Sequence, residues 1–220
     1  IILSNTPNKD FLTVLHKNYN FKKKDFFKKK INHLDIIIHL GAFIPKSNSD
    51  LDNINKSIEN IRNTKYLLDN LPNIPEKFIF ASTIDVYGKS LKKINEDSDT
   101  KPITMYAWSK LFCENLIRVW AKNNGVIYQI LRIGHVYGKG EEAYKKVIPN
   151  TIKRIKNNKN PEIYGTGEDL RSFLHVTDIS KLIMKATEFK KSNGIINLCN
   201  SKSYSIKQII GLLIKISKKK

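Results

Sequence analysis

The sequence predicts an α/β protein with a doubly wound parallel sheet, and two observations support this fold class. Short apolar runs alternate along the chain with longer amphipathic stretches, which is the order of strands and helices in βαβ units. Two runs, Asp35–Leu40 and Lys77–Ser82, are almost continuously apolar, as strands are when helices cover both faces of a sheet. Such a sheet binds ligands at the carboxyl ends of its strands, so function is expected in the residues that follow them.

The elements follow from the spacing of apolar residues and from turn residues between them. The predicted strands are Ile1–Ser4, Tyr19–Lys23, Asp35–Leu40, Lys77–Ser82, Val126–Arg132, Glu162–Tyr164, Ser172–His175 and Ile195–Leu198. The predicted helices are Asp50–Leu71, Tyr106–Asn124, Glu142–Asn158, Thr177–Phe189 and Ser205–Ile216. Asn123–Gly125 can end the second helix with a left-handed cap.

Composition excludes several classes of protein. The chain has 220 residues, of which 40% are hydrophobic, enough for a packed core. The sequence contains no run of 18 apolar residues, so it predicts no membrane span. Its first residues lack the features of a signal peptide. Cys113 and Cys199 are too few for a disulfide framework or a four-cysteine zinc site. We therefore expect a cytoplasmic protein that uses no metal and contacts no membrane.

The net charge of +19 would suit a nucleic-acid-binding protein, but its distribution argues against one. Lysines are spread from Lys9 to Lys220, and arginine, the better phosphate ligand, occurs five times. An excess of Lys, Asn and Ile is what an AT-rich genome would encode on any surface. The clusters Lys22–Lys24 and Lys28–Lys30 are interpreted as solvated faces, and nucleic acid is not expected as a partner.

A tyrosine and a lysine four residues apart form the most specific chemical pattern. Tyr106 and Lys110 lie in a predicted helix, where that spacing places both side chains on one face. An ammonium near a phenol favours the phenolate, and lowering a phenol pKa to near neutral needs roughly 4 kcal/mol. Upstream, Thr83 follows a predicted strand, where its hydroxyl can hydrogen-bond a substrate oxygen beside the phenol.

Together Thr83, Tyr106 and Lys110 resemble the catalytic trio of the extended short-chain dehydrogenase/reductases, the NAD-dependent epimerase/dehydratase family that acts on nucleotide sugars. The resemblance extends over nearly the whole chain and keeps the family's order of motifs. It is carried by Asp35–Ala42, Asn60–Leu68, Ser82–Gly88, Leu131–Gly138, Val147–Pro149, Glu162–Gly167, Arg171–Asp178 and Asn197.

The resemblance implies a Rossmann-type domain and two sets of binding residues. Cofactor contacts are implied for Asn5, Asp25, Phe26, Leu40, Gly41, Ala42, Asn60, Ala81, Tyr106, Lys110, Ile133 and His135. Contacts with a nucleotide-diphosphate sugar are implied for Thr83, Asp85, Tyr106, His135, Val147, Tyr164 and Arg171. The Arg171 guanidinium would bind the diphosphate.

Other polar residues in these segments have less specific interpretations. Asp85 is also interpreted as a turn cap, and His135 as a hydrogen-bonding neighbour rather than a catalyst. His39 and His175 are expected to be hydrogen-bonded core histidines, and Cys113 a core residue.

The Gly-rich phosphate loop of the family is absent. In the family's order Ile1–Asn5 corresponds to the second strand, so about thirty residues with the first strand and the loop would precede Ile1. A chain without them is expected to bind dinucleotide poorly. Ser4 and Asn5 stand where an acidic residue would select NAD, which leaves NAD or NADP open, with NAD preferred.

The leading hypothesis is a nucleotide-sugar epimerase that oxidises a sugar hydroxyl and re-reduces the keto-sugar with inversion. A 4-ketosugar reductase using NADPH is the alternative. Dehydration is disfavoured because Ile84 stands where dehydratases of the family carry a proton-donating Asp, and decarboxylation is weakened because Asp85 replaces a Glu. A non-catalytic nucleotide-binding module belongs to another class and stays open.

The resemblance also implies two interleaved units and a partner. Residues 1–137 and 172–190 would form the dinucleotide-binding domain, and residues 138–171 and 191–220 a small α/β subdomain for the nucleotide sugar. Family members usually pair through the helices that correspond to Asp50–Leu71 and Tyr106–Asn124, so a homodimer is expected.

Overall fold

A computed structural model of the chain describes residues 2–4, 16–18, 33–89, 93–142, 144–189 and 194–218. Its strands are β1 Ile2–Ser4, β2 His16–Asn18, β3 Ile36–His39, β4 Lys77–Thr83, β5 Ile127–Ile133, β6 His135–Tyr137, β7 Leu170–Arg171, β8 Phe173–His175, β9 Gly194–Leu198 and β10 Tyr204–Ser205. Its helices are α1 Ile54–Asp69, α2 Met105–Asn124, α3 Val147–Lys156, α4 Val176–Glu188 and α5 Ile206–Ser217. Short 3-10 turns cover Asn48–Asp50 and Ile84–Tyr87.

Four parallel strands form the central sheet in the order β3-β4-β5-β9. The longest pairing joins β4 to β5, from Lys77 opposite Ile127 to Thr83 opposite Ile133. Strands β1 and β2 form a separate parallel pair, as do β6 and β8, whereas β7 and β10 are antiparallel. The predicted parallel α/β fold is confirmed.

Alternate residues of β4 face two different cores, which places helices on both faces of the sheet. Phe78 and Phe80 pack with buried residues of α1 and α2, including Ile117. Ile79 packs on the other face with Ile179 of α4. Because side chains alternate along a strand, the apolar run predicted for β4 serves both cores at once.

Several element boundaries differ from the sequence prediction. The predicted strand Glu162–Tyr164 is wrong: this segment is irregular, and Tyr164 is 85% exposed, so no apolar face is buried there. The predicted helix Glu142–Asn158 begins only at Val147. The predicted strand Tyr19–Lys23 lies outside the described residues. The short strands β2, β6, β7 and β10 were not predicted, because two or three residues carry too little periodicity.

Helix α2 has a defined start and end. The Thr104 side chain caps it by accepting a hydrogen bond from the Ala107 amide at 3.2 Å. Gly125 ends it in the left-handed conformation at φ 66°, which confirms the predicted cap. The amide of Tyr106 also donates to the Leu51 carbonyl at 3.0 Å, so the first turn of α2 is tied to the segment before α1.

The C-terminal elements pack mainly on one another. Helix α3 packs against α5, and β7 pairs with β10 just before α5 begins. A capping box at Ser205 and Gln208 starts α5. The division into two interleaved units stays a prediction. Within the described residues, no helix has the length and apolar character needed to cross a membrane, and three or more potential metal ligands do not cluster.

The core assignments of three residues have different outcomes. Cys113 is fully buried in the core that α1 and α2 share, as predicted. His39 is buried, and its Nε2 lies 3.1 Å from the Thr64 hydroxyl, which confirms a satisfied core histidine. His175 is not a core residue: it is the N-cap of α4, where its side chain accepts a hydrogen bond from the Thr177 amide.

The buried His39 is expected to make the fold acid-sensitive. Burial, with a smaller effect of Lys110, lowers the pKa of His39 from 6.5 to about 3. The unfolded chain therefore binds a proton below pH 6.5 that the folded chain does not, so stability is complete above pH 6.5 and falls as the pH drops toward 3. Between pH 7 and pH 5, urea unfolding should show a loss of about 2 kcal/mol from this group.

Two variants separate this effect from general acid sensitivity. A His39→Phe variant should lose that part of the pH dependence, whereas a variant of the exposed His33, His33→Asn, should keep it. The same pH dependence in His39→Phe as in the wild type would show that His39 is not responsible.

Candidate functional site

The carboxyl end of β4 and the first turns of α2 bring Thr83, Tyr106 and Lys110 to one place. Thr83 is the last residue of β4, and Tyr106 and Lys110 lie one turn apart at the start of α2. All three residues are buried. The juxtaposition predicted for these side chains is therefore present in the structure.

The Thr83 hydroxyl acts on both the 3-10 turn that follows it and the Tyr106 phenol. Its Oγ1 accepts a hydrogen bond from the Asp85 amide at 3.2 Å and so caps the 3-10 turn Ile84–Tyr87. The hydroxyl also acts on the Tyr106 phenol, whose pKa it lowers. The cap predicted for Asp85 belongs to Thr83 instead, which leaves the Asp85 carboxylate beside the phenol.

The environment of Tyr106 favours the neutral phenol. Burial raises its pKa, the charge of Asp85 and the Tyr144 phenol raise it further, and the Thr83 hydrogen bond acts in the opposite direction. Lys110 is not among the groups that shift this pKa. The lowering of the phenol pKa by Lys110, expected from the spacing, is thus not present within the chain itself.

Lys110 is a buried cation. Its side chain is 3% exposed, and its Nζ lies 4.3 Å from the centroid of the Phe80 ring. No hydrogen-bond acceptor for this ammonium is found among the residues that the structure describes. Burial lowers the pKa of Lys110 to about 8, with Cys113 and Glu114 acting the other way. An ammonium buried in this way fits the hydroxyls of a bound ribose.

Asn60 joins the loop after β3 to the start of α2. Its Oδ1 accepts a hydrogen bond from the Phe43 amide at 2.7 Å, and its Nδ2 donates to the Ser109 hydroxyl at 3.2 Å. Phe43 in turn packs edge-on against Tyr106, with ring centroids 6.5 Å apart. This buried amide therefore holds the predicted cofactor loop against the helix that carries Tyr106.

A second group of polar residues interacts electrostatically with His135. The pKa of His135 is lowered by burial, then by the positive charge of Arg171, while Asp85 raises it and Lys146 lowers it. Asp85, Arg171 and Lys146 are thus the charged residues that act on His135. Three of the four groups are basic or can become so, which suits an anionic ligand.

The remaining predicted site residues divide into four sets. Residues at the carboxyl edge of the central sheet, as predicted, are Leu40, Gly41, Ala42, Ala81 and Ile133, and Leu40 and Gly41 are exposed there. Val147 starts α3 directly after Lys146. Tyr164 is not brought to the site: it is exposed, and its hydroxyl donates to Glu162 at 3.1 Å. Asn5, Asp25 and Phe26 lie outside the described residues.

Sequence reasoning missed three aromatic residues that shape the site. Phe43 contacts Tyr106, Phe80 contacts Lys110, and Tyr144 lies near the Tyr106 phenol with its ring 4.9 Å from the Lys146 ammonium. Phe80 has the core periodicity of β4, and no pattern separates Phe43 or Tyr144 from ordinary loop aromatics. Only the folded chain identifies them.

A doubly wound sheet with a Tyr–Lys pair and a hydroxyl at its carboxyl edge defines a dinucleotide-dependent class of protein. The model of the NAD dependent epimerase/dehydratase family matches residues 8–199, and the chain belongs to this family.

Individual relatives carry several activities of this family. The chain is 34% identical over 167 residues to dTDP-D-glucose 4,6-dehydratase of Dictyostelium discoideum, which covers 70% of this chain and 38% of the relative. It is 30% identical to dTDP-4-dehydro-6-deoxyglucose reductase of Escherichia coli, covering 86% of this chain and 61% of the relative. The chain thus spans less than two thirds of these relatives.

A solved structure gives a similar result. UDP-glucuronic acid 4-epimerase from Bacillus cereus, in complex with UDP-glucuronic acid and NAD, superposes with a TM-score of 0.82 at 28% identity. The similarity covers 93% of this chain and 66% of the epimerase. The Rossmann-type fold predicted from the resemblance is confirmed.

Proposed function

We propose that the protein is a nucleotide-sugar epimerase with Tyr106 as its acid–base group. The observation that carries the proposal is the burial of Thr83 at the end of β4 together with Tyr106 and Lys110, which lie one turn apart at the start of α2. The similarity to UDP-glucuronic acid 4-epimerase supports the same function.

The site residues fit a nicotinamide dinucleotide. Lys110 offers a buried ammonium to ribose hydroxyls, and Leu40 and Gly41 are exposed directly after β3. When bound, the dinucleotide supplies acceptance and return of a hydride. NAD is the preferred cofactor, and the NAD-bound Bacillus cereus structure supports it.

The residues of the chain hold and move the proton. Tyr106 would take the proton of a sugar hydroxyl at its Oη, and Thr83 would hold that hydroxyl in place. Burial and Asp85 raise the pKa of Tyr106, so its phenolate needs a compensating positive charge nearby. The cationic ring of an oxidised nicotinamide would supply it, and Lys110 would hold the nicotinamide ribose in place.

The substrate is proposed to be a nucleotide-diphosphate sugar. Arg171 and Lys146 act as positive charges on the neutral His135, and a diphosphate would pair with the Arg171 guanidinium. Asp85 lies among them and would accept a hydrogen bond from a sugar hydroxyl.

A ketosugar reductase that uses NADPH is the second candidate. Ser4, at the end of β1, stands where a carboxylate would hydrogen-bond the ribose 2′-hydroxyl of NAD, so this position does not select against NADP. A dehydratase is less well supported, although a dehydratase is among the relatives. Ile84 has no proton to donate to a leaving hydroxyl, and its side chain lies beside Gly134.

One measurement separates these functions. The native full-length protein is denatured, and any released dinucleotide is identified by mass spectrometry. Retained NAD is expected, since an epimerase recycles its cofactor within each turnover. Exchangeable NADPH with nothing retained would favour the reductase, and binding of neither form would favour a non-catalytic module.

A homodimer is proposed on an apolar face of α2. Trp108, Phe112 and Val119 are 53%, 55% and 60% exposed and lie on one side of the helix. Beside them a groove of about 220 Å³ separates α2 from α1, lined in part by Ile58 and Ile61. A second copy would cover this face in a four-helix contact.

A charge placed in this face should separate the protomers. The variant Phe112→Glu is expected to be a folded monomer at concentrations where the wild type is a dimer, measured by light scattering after size exclusion. Lys215→Glu, on the exposed side of α5, should stay dimeric. A dimeric Phe112→Glu protein, or a monomeric wild type, would contradict the proposal.

A further inference from the structure

A buried ion pair lies behind the candidate active site. The Glu114 carboxylate accepts two close hydrogen bonds from Arg132, from Nη2 to Oε2 at 2.7 Å and from Nε to Oε1 at 3.1 Å. Its Oε1 also accepts a hydrogen bond from the Ser82 hydroxyl. Both charged side chains are at least 96% buried. The pair is therefore charge-assisted, bidentate and shielded from water.

The ion pair connects four parts of the fold. Glu114 belongs to α2, Ser82 to β4 and Arg132 to β5. The Arg132 guanidinium lies 4.6 Å from the centroid of the Tyr87 ring, and the Tyr87 hydroxyl donates to Asn197 of β9 at 2.8 Å. One carboxylate thus links the helix that carries Tyr106 to three neighbouring strands of the sheet.

The position of Glu114 in the sequence connects the ion pair with the candidate active site. It follows Lys110 by four residues and Tyr106 by eight, so the three side chains lie on one face of α2. Its partner Ser82 directly precedes Thr83. A hydrogen bond between Ser82 and Glu114 therefore fixes how far along β4 the helix lies, which sets the distance between Thr83 and Tyr106.

We propose that Glu114 is a positioning residue of the active site, which acts through Ser82 and Arg132 to hold Tyr106 and Lys110 in register with Thr83. The inference rests on the proposed function, because it assigns Glu114 to the same reaction. Stability alone does not account for the pair, since well-packed apolar side chains often replace buried ion pairs without loss of stability. Fixing a single register is a role that such pairs have in other proteins.

Electrostatics support the same assignment. Burial lowers the pKa of Lys110 to about 8, whereas Cys113 and Glu114 oppose this effect. Burial also raises the pKa of the Cys113 thiol, so the thiol is neutral and Glu114 is the anion that favours the Lys110 ammonium. The other titratable groups near Lys110 are Tyr106 on the same helix and the neutral His39 on β3.

The test removes both charges at once, so that no unpaired ion remains. In the native full-length protein, Glu114→Met/Arg132→Met is expected to fold and to lower kcat about 100-fold, with the KM for the nucleotide sugar within about twofold, because misplaced reacting groups cost rate rather than binding. Ser82→Ala should lower kcat by a smaller factor. The matched control is Lys65→Ala/Asp69→Ala, an exposed pair on α1, which should change nothing.

The pH profile distinguishes positioning from a purely structural role. In Glu114→Gln the basic limb of the kcat profile is expected to move to lower pH, because Lys110 loses the anion that favours its charged form. A folded double variant with wild-type kcat and a wild-type pH profile would overturn the proposal. If the double variant fails to fold, Ser82→Ala and Glu114→Gln give the same comparison.

A measurement that does not depend on enzyme turnover tests this inference separately from the proposed function. In protein with ¹³C-labelled lysine, the Lys110 resonance, assigned with Lys110→Met, should titrate at lower pH in Glu114→Gln than in the wild type. If the Lys110 titration shifts but the protein turns over no nucleotide sugar, the interaction between Glu114 and Lys110 is supported. The proposed epimerase function is then rejected. An unchanged Lys110 titration would overturn the positioning role.

Discussion

The variant Tyr106→Phe is expected to lower kcat by about 10²–10⁴-fold, the usual contribution of a positioned acid–base group. The substitution removes one hydroxyl and keeps the ring that packs against Phe43, so the fold and the nucleotide-sugar affinity should change little. The measurement is kcat and KM for the nucleotide sugar, with the affinity measured separately by calorimetry.

Two controls define this result. Tyr66→Phe removes a phenol hydroxyl from α1 and should leave kcat unchanged. Thr83→Ser keeps the hydroxyl that caps the 3-10 turn and contacts Tyr106, and should retain most activity. A Tyr106→Phe protein with wild-type kcat would show that another group moves the proton.

The variant Lys110→Met is expected to stabilise the fold and to inactivate the site. The pKa of Lys110 is about 8 in the folded chain, against 10.5 for an ordinary lysine, so its charge destabilises the fold by about 3 kcal/mol at pH 7. A methionine of similar length removes that cost. Turnover should fall by about 10² or more, because the nicotinamide ribose loses the buried ammonium that would hold it in place.

The lowered pKa of Lys110 predicts how the stability of the fold changes with pH. Between pH 8 and pH 10.5 the unfolded chain keeps a proton that the folded chain has released from Lys110, so stability should rise across this window. Lys110→Met should lack that rise, whereas Lys122→Met, on the exposed side of α2, should keep both the rise and the activity. A Lys110→Met protein that is less stable than the wild type at pH 7 would contradict the claim that the buried charge of Lys110 destabilises the fold.

The strands and helices around the site could be predicted because their signals are local. The apolar run of β4, the spacing of Tyr106 and Lys110, and Gly125 after α2 each depend on a few neighbouring residues. By contrast, Glu162–Tyr164 has the composition of a strand, but no neighbouring strand pairs with it in the described chain. Strand pairing is a property of two segments, and a single segment does not encode it.

The electrostatics of the site could not be predicted, because they depend on burial. Sequence spacing places an ammonium near the phenol, but the structure places the Asp85 carboxylate there as well, and burial raises the pKa of Tyr106. One feature of Glu114 could have been recognised in the sequence, namely that its carboxylate lies on the same helix face as Lys110. Its partners Ser82 and Arg132 are 32 and 18 residues away, and only the fold brings them together.

The central claim is that Tyr106, Thr83 and Lys110 serve inversion of a sugar carbon by oxidation and re-reduction. The direct test incubates the native full-length protein with a panel of UDP- and dTDP-sugars that carry deuterium on the ring carbons, and examines the products by NMR and mass spectrometry. We expect an epimer that keeps its deuterium at the inverted carbon, formed without net reduction of NAD and absent with Tyr106→Phe. Nucleotide-sugar binding without any turnover, or inversion with loss of that deuterium to water, would contradict the claim.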